Sequence, residues 1–482
     1  MHPRVITRFV AIVVFSLGIS MTAPLLVSII YGDGSTRALI VSTLITSSVG
    51  LILFIFTKSH GNNHLNHRDG VAIVAVGWLM AGLFGTLPYL FSGAIPDFTN
   101  AYFESVSGFT TTGATVLTDI ERLPEGILLW RSQTQWFGGM GIIVFSIAIL
   151  PLLGVGGMQL YKAEIPSPVV DRLKPRISET AKTLWKVYVL ITVVEIGMLF
   201  VGGMPLFDAV CHAFCTMPTG GFSTKNASIA YYKSVYFDCV FILFMLLAGI
   251  NFSLHYRLMK GDPKVFGKDS ECRTFLILVG LFVAVVTLDI HGTVYGSIVE
   301  AFRYATFQVG SIITTTGFVT ADYEKWPALS QLILLICMFL GAMAGSTGGG
   351  MKTMRIMLLV RHSYQQLFQI VHPHAVTTVK LGGRPVSQDV LSSVWGFFIL
   401  YLGLFMVATL VMAGLGLDMV SAIGSVAATI GNIGPGLGIV GPAEHYLFIP
   451  PIGKWVLVFC MLLGRLEIYT VFVLLTPEFW KK

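Results

Sequence analysis

Four short stretches carry the polar backbone that this otherwise apolar chain could use for chemistry. They are Thr110-Thr111-Thr112-Gly113-Ala114, Pro218-Thr219-Gly220-Gly221-Phe222, Thr314-Thr315-Thr316-Gly317-Phe318 and Asn432-Ile433-Gly434-Pro435-Gly436. What they offer is carbonyl oxygen, on a backbone that glycine releases into conformations a side chain forbids. An ion leaving water must find replacement oxygens, and a ring of backbone carbonyls supplies them without a fixed countercharge. One such stretch reads as an ordinary turn. Recurrence changes the reading: Gly113, Gly221, Gly317 and Gly434 return roughly every hundred residues, and nine positions before each stands Glu104, His212, Gln308 or Ser425. That period is far too long for a solenoid and suits a repeated membrane unit. Gly436 is an alternative to Gly434, but only Gly434 keeps the nine-residue offset.

The elements that must position these loops belong to a membrane. The 482 residues are 54% hydrophobic and 12% charged, about half the charge of a soluble protein, and apolar runs long enough to span a bilayer recur from end to end. Apolar runs at 5–31 and 38–57 are expected to be two N-terminal spans. The first is too long for a signal core and lacks a clear cleavage site. Each of four units then pairs two long apolar helices with a short segment between them: 70–95, 100–109 and 128–153; 184–203, 207–217 and 235–258; 274–290, 298–313 and 329–360; 390–413, 419–430 and 453–475. The expected fold is an all-α integral membrane protein of ten spans, with four helix–pore loop–helix repeats in pseudo-fourfold arrangement around a central pore. Its divisions are 1–69 for the N-terminal pair and a cytoplasmic loop, then 70–181, 182–273, 274–388 and 389–482 for the repeats.

Charge placement orients the chain. Lys and Arg gather in loops 162–186, 257–273 and 361–384, on the same expected side as Arg4, Arg8, Lys481 and Lys482. The other side carries Asp97, Asp119, Glu121, Glu125, Asp208, Glu300, Asp322, Glu324, Asp418 and Glu444. By the positive-inside rule both termini are cytoplasmic and the glycine loops open outward, beneath a surface that attracts cations. The basic excess is a matter of topology and does not point to nucleic acid. Segments of 10 to 16 residues are too short to cross and read as re-entrant helices. Their partly negative C-terminal ends would face the cavity, while Asp97, Asp208, Glu300 and Asp418 suit the positive ends. Loops such as Thr-Thr-Gly survive at membrane depth only where they are buried in protein or line water.

Other clusters read as structure. The six cysteines lie mostly in apolar runs as small hydrophobes. Cys211, His212 and Cys215 lack an evident fourth metal ligand. His60, His64 and His67 sit in a polar loop that reads as a solvated turn. The run 341–350 is glycine-rich and interrupts the helix expected at 329–360; it is not a phosphate loop, since Met351 stands where one needs lysine and no strand precedes it. No HExxH, GxSxG or paired-acid motif points to an enzyme. Arg465, within the last apolar run, is a functional candidate because a charge at membrane depth costs at least about 2.5–3.5 kcal/mol. On a straight helix Glu467 could not face it. Glu195 and Asp289, also in apolar runs, read as structural.

Taken together, TTTGA, TGGF, TTTGF and NIGPGLG, with Ala344-Gly345-Ser346-Thr347-Gly348-Gly349-Gly350 and Gly464-Arg465-Leu466-Glu467, resemble the Trk/Ktr/HKT superfamily of potassium transporters along essentially the whole chain. The two extra N-terminal helices are similar to those of its TrkH/TrkG branch. The resemblance implies K+ as the transported ion, held largely by backbone carbonyls of Thr111, Thr112, Gly113, Thr219, Gly220, Gly221, Thr315, Thr316, Gly317, Asn432, Ile433 and Gly434. In that superfamily serine at the first glycine goes with sodium preference, so Gly113 implies potassium. Pro218-Thr219 departs from the usual pattern of an alanine and a branched aliphatic residue. The resemblance makes 341–350 an intramembrane gating loop, with Gly345, Gly348, Gly349, Gly350, Lys352 and Arg465 as gating residues. It further implies a bacterial inner-membrane homodimer, one pore per protomer, regulated by a cytosolic TrkA-like nucleotide-binding ring docked on basic loops such as 162–186. No organic cofactor is expected in this chain. Obligate symport with protons or sodium on the same fold is the alternative, with Glu195 and Asp289 as the buried acids it could use.

Overall fold

A computed structural model describes residues 1–57, 67–148, 177–375 and 377–481. Within these, the chain is helical apart from connecting loops and a two-strand hairpin, Lys380–Leu381 with Arg384–Pro385. Six helical segments are long and apolar enough to cross a membrane: Pro3–Tyr31, Thr36–Phe56, Arg68–Ser92, Glu179–Val201, Ser270–Ile290 and Gln388–Gly414. Two bent pairs raise the number to eight: Val235–Gly249 with Phe252–Met259, turning through 103°, and Pro451–Arg465 with Ile468–Leu475, turning through 119°. The ten expected spans are thus not reached on length and composition. Glu125–Ala148 is long enough, but buries Arg131, Ser132, Gln133, Thr134 and Gln135 in its first half. Ala328–Phe339 has only 12 residues before the backbone leaves the helix.

Two helices expected to be continuous are broken, and a third breaks where its glycine-rich run falls. At 235–258 the chain bends around Asn251, whose side chain accepts from Ser253 N–H and caps the second piece. At 329–360 the helix stops at Phe339 and resumes at Thr353. At 453–475 it stops at Arg465, and Glu467 takes the left-handed φ of 64°. Apolar composition flanks the first and third breaks, which is why a hydropathy pattern reads straight across them, whereas the glycine-rich run marks the second.

Only 22% of the Thr36–Phe56 window is buried, and the long helices present Ile30, Phe56, Val201, Leu288 and Leu410 outward. An apolar exterior of this kind suits lipid. The N-terminal pair crosses closely, since a Cβ at Gly50 would strike the Phe15 backbone and one at Gly18 would strike Ser47. Asp33 ties this pair to the first unit by accepting from Gly126 N–H (2.6 Å), Ser28 Oγ (2.5 Å) and Ser35 N–H (2.9 Å).

The short segments form helices at Phe98–Phe109, Leu206–Thr216, Ile298–Ile313 and Met419–Ile430. Asp97 caps the first through Asn100 N–H (2.9 Å), and Asp418 caps the fourth through Val420 and Ser421 N–H (3.1 and 3.2 Å). Hydrogen bonding from Ser421, side chain and then backbone, holds the Asp418 carboxyl below the usual carboxylate range. Asp208 and Glu300 lie in the first turns of the other two. Five of the cysteines are buried; Cys239 is exposed, against expectation, because it faces outward from Val235–Gly249. The His60 and His64 loop, the His67 side chain and most of 162–186 lie outside the described residues.

Candidate functional site

Each short helix delivers its loop with the same backbone geometry. Two positions before the glycine, Thr111, Thr219, Thr315 and Asn432 have φ of 51°, 57°, 62° and 53°, and Gly113, Gly221, Gly317 and Gly434 follow at 83°, 74°, 79° and 98°. A β-branched residue in this region is a true outlier, so the surroundings must hold it there. Amide hydrogen bonds do so in the same register each time. Thr111, Thr219, Thr315 and Asn432 N–H donate three residues back, to Gly108, Thr216, Ile312 and Thr429 (2.9–3.2 Å). Thr112, Gly220, Thr316 and Ile433 N–H donate five residues back, to Ser107, Cys215, Ser311 and Ala428 (2.8–2.9 Å). The donors are consumed within each loop.

The four loops meet in a closed cycle. A Cβ at Gly113 would overlap the carbonyl oxygen of Gly220; at Gly221, that of Thr316; at Gly317, that of Ile433; and at Gly434, that of Thr112, at 2.7 Å. Every glycine thus abuts the carbonyl that precedes the glycine of the next loop, and the fourth loop closes on the first. Glycine is required here for space as well as for φ. Among the described residues, the carbonyls of Thr112, Thr316 and Ile433 accept no hydrogen bond.

Behind the ring, the residues nine positions before the glycines are fully buried, and three of them reach the chain leaving their loop. Glu104 accepts from Val116 N–H (2.9 Å) and pairs with Arg131 (2.7 Å). His212 bonds Ser223 Oγ (3.0 Å) through Nε2 and Asp208 O (2.7 Å) through Nδ1, which occupies both ring nitrogens without a metal. Turned so that its oxygen faces the loop, as the neighbouring donors require, the Gln308 amide accepts from Thr320 and Ala321 N–H (2.8 and 3.0 Å). Ser425 is too short to do the same and donates to Ala422 O in its own helix. The Asn432 side chain, whose role sequence reasoning missed, links the fourth loop to Thr112 Oγ1 (2.9 Å) and Met461 O (3.0 Å).

The 341–350 run is packed against this ring. Gly349 N–H donates to Thr315 Oγ1 (2.6 Å), Thr347 Oγ1 to Met217 O (2.8 Å), and a Cβ at Gly349 would strike Gly431 O. Glu271 anchors both ends of the break, accepting from Ala344 and Met354 N–H (2.8 and 3.1 Å). A small cavity gathers Gly348, Gly349, Gly350, Lys352 and Arg465, together with Glu467. Lys352 Nζ donates to Gly348 O. Gly345 lies apart from this cavity, φ 73°, against the Asn251 side chain. Arg465 is buried at the C-terminus of its helix and donates to Thr347 O (2.6 Å). The break at 466–467 turns Glu467 onto Arg355 of the Thr353–Val371 helix (2.7 Å) instead. Asp289 is structural, accepting from Ser330 N–H and Oγ (3.1 and 2.6 Å). Glu195 is fully buried beside the Thr216 side chain, with neither carboxyl oxygen in a well-formed hydrogen bond among the described residues.

The chain is similar to known proteins over its whole length. A family model described as "TrkH: Cation transport protein" matches residues 36–482. The Trk system potassium uptake proteins TrkH of Salmonella typhimurium (strain LT2) and of Escherichia coli (strain K12) are each 44% identical over 487 residues, covering 100% of both chains. TrkG of Escherichia coli (strain K12) is 37% identical over 100% of this chain and 99% of its own. The crystal structure of the potassium transporter TrkH from Vibrio parahaemolyticus superposes with a TM-score of 0.91 at 40% identity, covering 100% of each chain.

Proposed function

The chain belongs to the TrkH family of cation transport proteins, and on that footing we propose that it takes potassium into a bacterial cell across the cytoplasmic membrane. It is a transporter and not an enzyme, as its relatives are named. The observation that carries the reading furthest is the closed cycle of Gly113, Gly221, Gly317 and Gly434 on the carbonyls of the adjoining loops.

On this reading four helix–pore loop–helix units surround one axis, and the polar Glu125–Ala148 and the broken Ala328–Phe339 with Thr353–Val371 serve as the ninth and tenth spans. Both termini then face the cytoplasm. The ion sheds water onto the carbonyls of Thr111, Thr112 and Gly113 and their counterparts Thr219, Gly220, Gly221, Thr315, Thr316, Gly317, Asn432, Ile433 and Gly434. Carbonyl dipoles attract the cation without binding it so tightly that it cannot leave. Beneath them the 341–350 loop, with Gly345, Gly348, Gly349, Gly350 and Lys352, blocks the way and must move for conduction. Arg465 places a positive charge there that repels a cation until the loop shifts. A homodimer with one pore per protomer, under a cytosolic TrkA-like nucleotide-binding ring, completes the assembly.

Glu195 favours a second reading, proton- or sodium-coupled symport, because a buried carboxyl without a counter-charge or a well-formed hydrogen bond could take up and release a proton. Potassium uptake into proteoliposomes, followed with and without an imposed proton gradient, separates the two. Uptake driven by the potassium gradient alone supports the pore; strict dependence on the proton gradient, lost in Glu195→Gln, supports symport. No potassium uptake under either condition, with the regulatory partner present, contradicts both.

A further inference from the structure

The four ring carbonyls are not equivalent. Thr112, Thr316 and Ile433 leave theirs unbonded among the described residues, whereas Gly220 O accepts from Nε2 of Gln135 (2.7 Å). The same amide accepts from Phe222 N–H through Oε1 (3.1 Å). Gln135 is fully buried in the Glu125–Ala148 helix, and its amide straddles Gly221.

The sequence of the second loop explains why it needs outside support. In the first and third loops a threonine three before the glycine meets one immediately before it, Thr110 with Thr112 and Thr314 with Thr316, hydroxyl to hydroxyl at 2.8 Å. The fourth is tied by Asn432 and by Tyr446 OH on Gly434 O (2.6 Å). Pro218 and Gly220 occupy the threonine positions in the second loop and can form no such link. A Cβ at Gly220 would meet Gln135 Oε1 at 2.5 Å and Nε2 at 2.8 Å, so any side chain there would displace that amide. One turn before Gln135, Arg131 continues the support: it donates to Ser223 O (3.0 Å) and lies 3.6 Å over the Phe222 ring.

We propose that Gln135 is a specificity-determining positioning residue, fixing the second quadrant of the ring at the radius that suits potassium. It acts through Gly220 and does not touch the ion. The inference rests on the reading of the ring as a selectivity filter. Without Gln135 the Gly220 carbonyl is free to move toward a smaller ion, and the Phe222 amide loses its acceptor. Two hydrogen bonds of ordinary net strength are at stake, so the potassium-to-sodium permeability ratio should fall by about fivefold or more.

The test measures reversal potentials of purified protein in liposomes under opposed KCl and NaCl, for the native chain, Gln135→Leu, Gln135→Glu and Gln133→Leu. Gln133 is a same-helix control that donates to Ser20 O. Gln135→Glu nearly preserves shape and keeps an acceptor for Phe222 N–H but opposes an oxygen to Gly220 O, and it stands in for Gln135→Leu should that variant not fold. A lowered ratio in the Gln135 variants, with Gln133→Leu unchanged, supports the proposal. An unchanged ratio in a folded Gln135 variant, or an equal fall in Gln133→Leu, overturns it while the filter reading stands. A native chain without potassium preference overturns the filter reading itself.

Discussion

Gly434 packs onto the carbonyl of Thr112, so the last of the four loops lies directly against the first. Sequence neighbours cannot produce that contact; it brings the first and the last of the four loops together. Each of the other three glycines makes the corresponding contact with the next loop.

Gly317→Ala should abolish most potassium uptake while leaving the protein in the membrane. Its Cβ would overlap Ile433 O, and its φ of 79° is left-handed, a conformation that costs a side chain about 1–2 kcal/mol before any clash. We expect at least about a tenfold fall in uptake at unchanged abundance, measured in cells and checked by membrane immunoblot.

Glu104→Gln should destabilise the fold, because Arg131 would keep a buried charge without its counterion. Breaking one side of a buried pair costs about 3–5 kcal/mol. Thermal melts in detergent should show a large loss for Glu104→Gln and a smaller one for Glu104→Gln with Arg131→Met, since residues in direct contact are not additive.

Arg465→Ala should raise potassium flux in the absence of any regulatory partner. The substitution removes a positive charge from beneath the ring and the bond that holds Thr347 O. A severalfold rise in basal efflux from loaded liposomes is expected; unchanged or lower efflux from folded protein would speak against a blocking role.

Asp33 gives a pH signature. Burial raises its pKa, but the bonds from Gly126, Ser28 and Ser35 outweigh that and hold the carboxyl below its ordinary 3.8. A depressed folded-state pKa contributes stability above the unfolded value and loses it as pH falls through the folded one. Asp33→Asn should therefore melt earlier than the native chain at about pH 6, and the gap should close below about pH 4.

The glycine loops were legible because they recur with a constant offset, and their environment repeats with them: Glu104, His212 and Gln308 all stand behind the ring. Ser425 matched in position but not in reach, a difference of side-chain length that a spacing argument does not weigh. The breaks at Asn251 and Glu467 were hidden, unlike that at 340–352, the second of the three, since apolar residues continue on both sides of them and hydropathy is blind to a backbone that turns. The glycine-rich run did mark the second break, but its anchor, Glu271, lies far back in the chain. Gln135 left no trace in the sequence. It bonds a loop 85 positions away, and a glutamine inside a helix carries no pattern that points there.

The central claim is that four glycine loops form one cation-selective ring, and the reversal potential of the reconstituted protein under opposed potassium and sodium chloride, beside Gly113→Ser, tests it most directly. The account predicts a potential close to the potassium equilibrium value for the native chain and a shift toward zero for Gly113→Ser. A native reversal potential near zero, or one that Gly113→Ser leaves where it was, would contradict it.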